Sequence, residues 1–263
     1  MNDDVKLCAF RLHENLYFIG CEAVSVHLLD TEEGLVLIDT GYPDMLELIL
    51  SNIEALGFSP KNIRALLHTH AHIDHFGTTR ELVALSGATT YMSRIDNDIF
   101  CGPQDLTWAK ELHLSPIPPF ASDVLLEDGD TLTFGSTRVR CVLTPGHTAG
   151  TLSYVITLPD GTVAAMHGGG GMNSMRSDFL RRYGLSSDCR AAFRAALDRL
   201  RCERVDLVIG NHPGQSNTKG KMLRVLGGES DVRDGSEWAR LLDSLEGLLD
   251  RLEAEDPYEE AKE

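Results

Sequence analysis

The sequence predicts an α/β protein in which two packed β-sheets are covered by helices. Two observations carry that prediction. Short, apolar, β-branched runs fall into two clusters, one opening the chain and one between Asp123 and His167, and helical periodicity follows each. With 263 residues, 42% of them hydrophobic, the chain has material for a sizeable core, and no low-complexity linker or strong repeat divides it. One domain over residues 1–252 is therefore expected. It is followed at 253–263 by an acidic tail, "EAEDPYEEAKE", that should fray into solvent.

The elements follow in order. "KLCAFRL", "LYFIG", "AVSVHLLD" and "GLVLIDT" read as strands, with "DTEEG" as the turn between the last two. At Pro43 the period changes: "PDMLELILSNIEALG" repeats Leu and Ile at helical spacing and stops at Gly57. "IRALLHT" is a strand and "TTRELVALSG" a helix ending at Gly87. Residues 94–120, with Trp108 and "SPIPPF", read as short helices and a loop that either walls a pocket or covers the sheet. β character returns in "DVLLEDGDTLTFGSTRVRCVLT", with "DGD" as a turn, and in the hairpin "TLSYVITLPDGTVAAMH". After the glycine run at 168–171 comes a helix, "SSDCRAAFRAALDRLRCE", with Ser187 or Asp188 at its start. "VDLVIGNH" is the last strand, and "DGSEWARLLDSLEGLLDRLEAE" closes the chain as an amphipathic helix.

A formal charge of −16 argues against nucleic acid or an anionic membrane surface as partner, because phosphates are repelled. The start, "MNDDVKLCAF", lacks a basic and then apolar leader, and no run approaches a membrane span, so a cytoplasmic location is expected. Six cysteines stand singly and make no C-x-x-C pair; they read as reduced and mostly buried. The oligomeric state is not legible.

Chemistry is concentrated where strands run out into histidine. "ALLHTHAHIDH", "CVLTPGH", "VAAMH" and "LVIGNH" each end this way. In an extended segment the side chains of residues i and i+2 share a side, so His70 and His72 can hold one ion. Asp74 and His75 can turn toward a second as the chain bends into the helix. His147 and His212 are the candidates to complete the shells. Neutral imidazoles with one carboxylate suit Zn²⁺ best, with iron, manganese or cobalt also fitting.

"HAHIDH" resembles the H-x-H-x-D-H signature of the metallo-β-lactamase superfamily. "LVLIDTG" before it and "TPGHTAGTLSY" and "VIGNHP" after it stand in the family's order, from residue 35 to about 213. The resemblance implies an αββα sandwich with a dinuclear site at one edge of the sheets. It assigns His70, His72 and His147 to the first metal, Asp74, His75 and His212 to the second, and Asp39 to a supporting position behind them. It further implies a zinc-dependent hydrolase of a small carbonyl substrate (lactam, lactone or ester) acting through a metal-bridging hydroxide, with Asp74 as ligand and as the catalytic residue that orients the hydroxide. Many members carry an additional bridging aspartate in a "GD" context. Here that stretch reads "VAAMHGGGGMNSM", and the slot falls near His167 or Gly168. The chain is thus nearest to members without that aspartate, and Gly168→Asp is expected to tighten the second metal. The alternatives are a hydroxyacylglutathione-type thioesterase, a single-iron persulfide dioxygenase and a non-catalytic metal-dependent sensor. His167 is left as an extra ligand, a proton relay, a supporting donor or a strand cap; His68 is expected to finish its strand or pack near the site. His13, His27 and His113 read as ordinary residues, and Arg176, Arg181 and Arg182 as a solvated helix face.

Overall fold

The computed structural model describes residues 5–258. The first sheet comprises β1 (Phe10–His13), β2 (Leu16–Phe18), β3 (His27–Thr31), β4 (Gly34–Ile38), β5 (Ile63–Leu67), β6 (Thr89–Ser93) and β7 (Val124–Leu126), lying side by side in chain order. The first four pair antiparallel through tight connections; β4 to β7 pair parallel. Parallel neighbours need crossovers, and these are α1 (Leu46–Ala55), then α2 (Ile73–Phe76) with α3 (Thr79–Ser86), then α4 (Arg94–Phe100). The second sheet has the order β12-β11-β10-β9-β8, from β8 (Thr131–Phe134), β9 (Thr137–Leu143), β10 (Leu152–Thr157), β11 (Val163–Met166) and β12 (Leu207–Val208). It is antiparallel except for the β11–β12 pair. Between these last two strands lie α5 (Ser177–Tyr183) and α6 (Asp188–Leu200), and after them α7 (Thr218–Leu226) and α8 (Glu237–Glu255).

Side-chain alternation explains the layering. On β4, Val36 and Ile38 point into the core between the sheets, where they meet Cys141, Tyr154 and Ile156 of the second sheet. Leu35 and Leu37 point the other way, against Ile49 and Ile53 of α1 and Leu82 of α3. On β10, Tyr154 and Ile156 face inward while Val155 faces Phe193 and Leu197 of α6 and the leucines of α8. Each fully buried leucine contributes about 1.5–3 kcal/mol. An αββα sandwich results.

Several local expectations change. The run from Asp123 to Thr144 does not form one sheet: β7 closes the first sheet, and the "DGD" segment carries the chain across to β8. The strand expected over "VDLVIGNH" is only two residues long; the Ile209 N–H still donates to Ala165 O at 2.8 Å, and beyond it the backbone leaves the sheet to build the histidine loop. Ser187 does stand before α6, but its side chain caps nothing; the Ser186 hydroxyl accepts from Asp188 N at 3.1 Å instead. Three of the cysteines, Cys8, Cys101 and Cys202, are exposed and only Cys141 is buried, since the exposed ones sit just outside element ends. At the C-terminus, where fraying was expected from Glu253, α8 continues to Glu255. Asp256 then accepts from Ser177 N at 2.7 Å and Arg190 Nη2 at 3.1 Å. Residues 259–263 of the expected tail lie outside the described residues. No described helix is long and apolar enough to cross a membrane.

Candidate metal centre

Strands of both sheets stop at the same edge, and the loops beyond them carry the polar residues. Asp39 follows β4, residues 68–75 follow β5, His147 lies between β9 and β10, and His212 follows β12. The fold brings the six candidate ligands into two groups. The ligand atoms of His70, His72 and His147 all lie within 4.8 Å of one another, and so do those of Asp74, His75 and His212. The His70 and His75 ring centroids, 4.2 Å apart, join the two groups.

Four of the five histidines are aimed by what their other nitrogen touches. His147 Nδ1 donates to Gly171 O at 2.7 Å, His212 Nδ1 to Ala23 O at 2.8 Å, and His75 Nδ1 to Asp39 Oδ2 at 2.7 Å. Carbonyl and carboxylate oxygens cannot donate, so these rings carry a proton on Nδ1; neutral His147 and His212 then present a bare Nε2, while His75 Nε2, 3.3 Å from Asp74 Oδ2, would be freed for a cation by loss of its second proton. For His70 the reasoning takes one more step. The Thr69 hydroxyl gives its hydrogen to Asp39, at 2.9 Å to Oδ2, and therefore accepts from His70 Nδ1 at 3.0 Å. His70 Nε2 is then a buried lone pair, and it has no hydrogen-bond partner. Such an orphan is costly in a buried site, and a nitrogen-seeking cation is what would satisfy it. Outer partners of this kind fix the tautomer of metal-binding histidines.

Asp39 is the keystone of the arrangement. Its backbone adopts φ 61°, a left-handed conformation uncommon outside glycine. From there its carboxylate reaches Thr69 N at 2.8 Å as well as the Thr69 hydroxyl and His75. It thus supports residues in both ligand groups while touching neither candidate ion position through its own oxygens.

Electrostatics suit a cation. Burial, and then the neighbouring imidazoles, hold His70 and His72 well below the ordinary histidine range, and burial takes His147 down to about 4. These are the neutral forms that ligate. Burial also works against a charge on His75, but the Asp74 and Asp39 carboxylates outweigh it and lift that ring to about 10. Burial would raise Asp74, yet His75 beside it, at 3.3 Å from Oδ2, keeps the carboxyl well below its usual range. His212 Nε2 approaches the same oxygen at 3.6 Å. Positive charge is therefore favoured where Asp74, His75 and His212 meet. The cluster is open on one side, with the His212 side chain 38% exposed.

One residue that sequence reasoning missed clasps the site. Asp96, at the start of α4 and fully buried, accepts from Ala71 N at 2.9 Å, Thr148 Oγ1 at 2.7 Å and Gly150 N at 2.7 Å. Ala71 separates His70 from His72, and Thr148 follows His147, so one carboxylate ties together the two loops of the first group. Gly150 has no side chain because a Cβ there would collide with Asp96 and Ser93. Nothing local in "SRIDNDIF" signals this role.

The remaining candidates fall outside the ligand groups. His68 lies one residue past the end of β5, and its ring donates to Tyr91 O at 2.9 Å and accepts from Thr79 Oγ1 at 2.8 Å. His167 is buried against Phe193, its Nδ1 accepts from Gly169 N at 3.3 Å, and it belongs to neither group. The expectation for Gly168→Asp is overturned: a Cβ at Gly168 would run into the Leu152 carbonyl oxygen, so no carboxylate can stand there. Trp108 and Phe120 divide the two roles foreseen for their loop. Trp108 lies 5.5 Å from the His72 ring and 4.6 Å from Phe179, whereas Phe120 packs on Phe76 and Phe100 as a cover. Arg176 pairs loosely with Asp178, Arg182 with Glu111, and Arg181 lies over the Tyr258 ring, all at the surface.

The model of the metallo-beta-lactamase superfamily matches residues 19–165, more than half of the chain. The chain belongs to that superfamily. Among curated proteins it is similar to a probable metallo-hydrolase of Burkholderia pseudomallei, 33% identical over 117 residues that make up 41% of this chain and 35% of the relative. It is also similar to a hydroxyacylglutathione hydrolase of Gloeobacter violaceus, 36% identical over 103 residues, 39% of this chain and 33% of the relative. The matched segments thus span about a third of these relatives' length. Solved structures of the superfamily agree over nearly the whole chain. A metallo-beta-lactamase of Cronobacter sakazakii described by a HARLDQ motif superposes with a TM-score of 0.85 at 27% identity, covering 95% of this chain and 98% of that one. A subclass B3 metallo-beta-lactamase of Bradyrhizobium japonicum gives 0.85 at 26% identity, covering 95% and 94%.

Proposed function

We propose that the protein is a dinuclear, zinc-dependent hydrolase of a small carbonyl substrate. His70, His72 and His147 would hold one ion and Asp74, His75 and His212 the other, iron or manganese being the other candidate metals. The observation that carries this reading is the pair of three-residue groups, with the buried, unpartnered His70 Nε2 among them. Bound there, the metals would polarise the substrate carbonyl and lower the pKa of a water to about 7.

The chain's own residues then have distinct tasks. Asp39, Gly171 O and Ala23 O keep His75, His147 and His212 turned toward the centre, so nothing has to reorganise during reaction. Asp74 directs Oδ2 at His75 and His212, and its ionised carboxylate leaves Oδ1 to accept the hydrogen of the reacting water. Trp108 covers His72 and limits bulk water on that side. The exposed edge at His212 leaves room for a substrate, which disfavours a closed, non-catalytic sensor.

A thioesterase is the second reading, favoured by the relatives described as hydroxyacylglutathione hydrolases. Against it stands the lack of the bridging aspartate expected of that class, since histidine and glycine occupy positions 167 and 168. Zinc-loaded protein should be screened in parallel against lactams, lactones, esters, thioesters and phosphodiesters, with metal analysis on the same sample. Two ions per chain and turnover of one carbonyl class are expected. One iron per chain would point to the dioxygenase instead, and two ions without any turnover to the sensor.

A further inference from the structure

Beside the histidine groups lies a cavity of about 340 Å³. His72 and His147 form part of its wall, and Phe100 of α4, Leu106, Phe179 of α5 and Ala192 of α6 form much of the rest. It therefore borders the candidate centre directly. Away from the histidine edge and the rim, its wall hydroxyls are already engaged: Thr107 donates to Asp105 at 2.6 Å, Thr148 to Asp96 at 2.7 Å, and the Ser174 hydroxyl to His147 O at 2.6 Å. Asp96 is itself saturated by three donors. A polar guest would find few free partners inside, whereas an alkyl chain would find aromatic and aliphatic surface. The charged Asp188 stands at the exposed rim, and a net charge of −16 further disfavours an anionic guest. The volume lies at the small end of ligand pockets, which begin at about 300 Å³, and suits one slender chain better than a fused ring system.

We infer that this cavity receives an unbranched alkyl chain on the acyl side of the substrate, so that the preferred substrates are neutral acyl esters of medium chain length. The inference rests on the hydrolase reading above. In the reaction, water adds to the acyl carbon, the bond from that carbon to the leaving oxygen breaks, and the leaving oxygen takes up a proton from the water. A carboxylic acid and an alcohol result, with no other reactant consumed.

The test uses the full, zinc-loaded chain with p-nitrophenyl esters from acetyl to decanoyl, together with 1-octanol as a non-reacting probe. We expect kcat/KM to rise about threefold per methylene until the cavity is filled. The variant Ala192→Phe, which projects a ring into the space, should lower the octanoyl-to-acetyl ratio at least tenfold, and Ala192→Leu, which changes less volume, should fall between. In both the metal-free and the zinc-loaded chain, 1-octanol should bind in isothermal titration calorimetry, and Ala192→Phe should abolish the binding. Ester turnover that is independent of chain length, with no 1-octanol binding, would overturn the inference and leave the hydrolase reading intact. Binding of 1-octanol that Ala192→Phe removes, without turnover of any ester, would overturn the acyl-ester assignment, and the hydrolase reading would fall with it only if lactams, lactones and thioesters were also left intact.

Discussion

Asp96→Asn tests whether one buried carboxylate sets the geometry of the first ligand group. Oδ2 accepts from Ala71 N and Thr148 Oγ1, and Oδ1 accepts from Gly150 N. An amide of the same shape keeps only one acceptor oxygen. Whichever way it turns, its NH₂ faces a main-chain N–H, either that of Ala71 or that of Gly150. The variant loses a charge-assisted hydrogen bond and leaves a buried donor unpaired, a cost of about 3 kcal/mol. For a chain of this size that corresponds to a fall in Tm of about 6–12 °C. The melt should be followed by circular dichroism on metal-free protein, so that ligand linkage does not enter. Zinc affinity, measured by chelator competition, should fall by about tenfold or more at the first site, because the loops of His70 and His147 lose their common anchor. A variant that melts within about 1 °C of the parent and binds zinc equally well would refute the clasp.

Three further outcomes are expected. His147→Ala should reduce bound metal from two ions to one and abolish turnover, while the sheets of the metal-free protein keep their packing; unchanged metal content by elemental analysis would remove His147 from the ligand set. Gly168→Ala should cost about 2–3 kcal/mol in a urea melt, because its Cβ meets the Leu152 carbonyl, and Gly168→Asp should gain no metal affinity; a stable Asp variant with tighter zinc would contradict the geometry. Burial tends to raise the Asp160 carboxyl, but His13 and the Thr162 N–H and hydroxyl hold it down to about 2. A folded pKa below the unfolded one gives stability that is present above about pH 4 and lost as pH falls through about 2. Since the carboxyl is 32% exposed, Asp160→Asn should cost less than about 1 kcal/mol at pH 7, and urea melts of the two proteins should converge toward pH 2.

Much of the centre was legible because its parts are local. Six residues from His70 to His75 contain four candidate ligands, and the apolar run of β5 before them announces a strand end. The turns at "PDG" and "TPGH" and the helix stop at Gly87, which adopts φ 70°, are likewise encoded within a few residues. Elements whose pattern is blurred were not found. β6, "TTYMS", carries two threonines and a serine, and its place between β5 and β7 comes from parallel pairing rather than from its own hydropathy. α7, "TKGKMLRVL", buries Thr218 and Lys221 along with Met222, so its inner face does not look apolar. Lys221 is tolerated there only because Val208 O, Ser216 O and Glu237 surround its ammonium group.

The sequence by itself determined which residues can ligate and roughly where strands release them, since residue chemistry and short periodicity are properties of the chain alone. Tertiary structure decided the rest. It sorted the six candidates into two groups of three, aimed His75, His147 and His212 through a distant carbonyl or carboxylate, recruited Asp96 across 25 residues to Ala71 and 54 to Gly150, and closed the Gly168 slot with the backbone of β10. Those outcomes depend on separations of tenths of an ångström between segments far apart in sequence, and such distances exist only once the two sheets have packed.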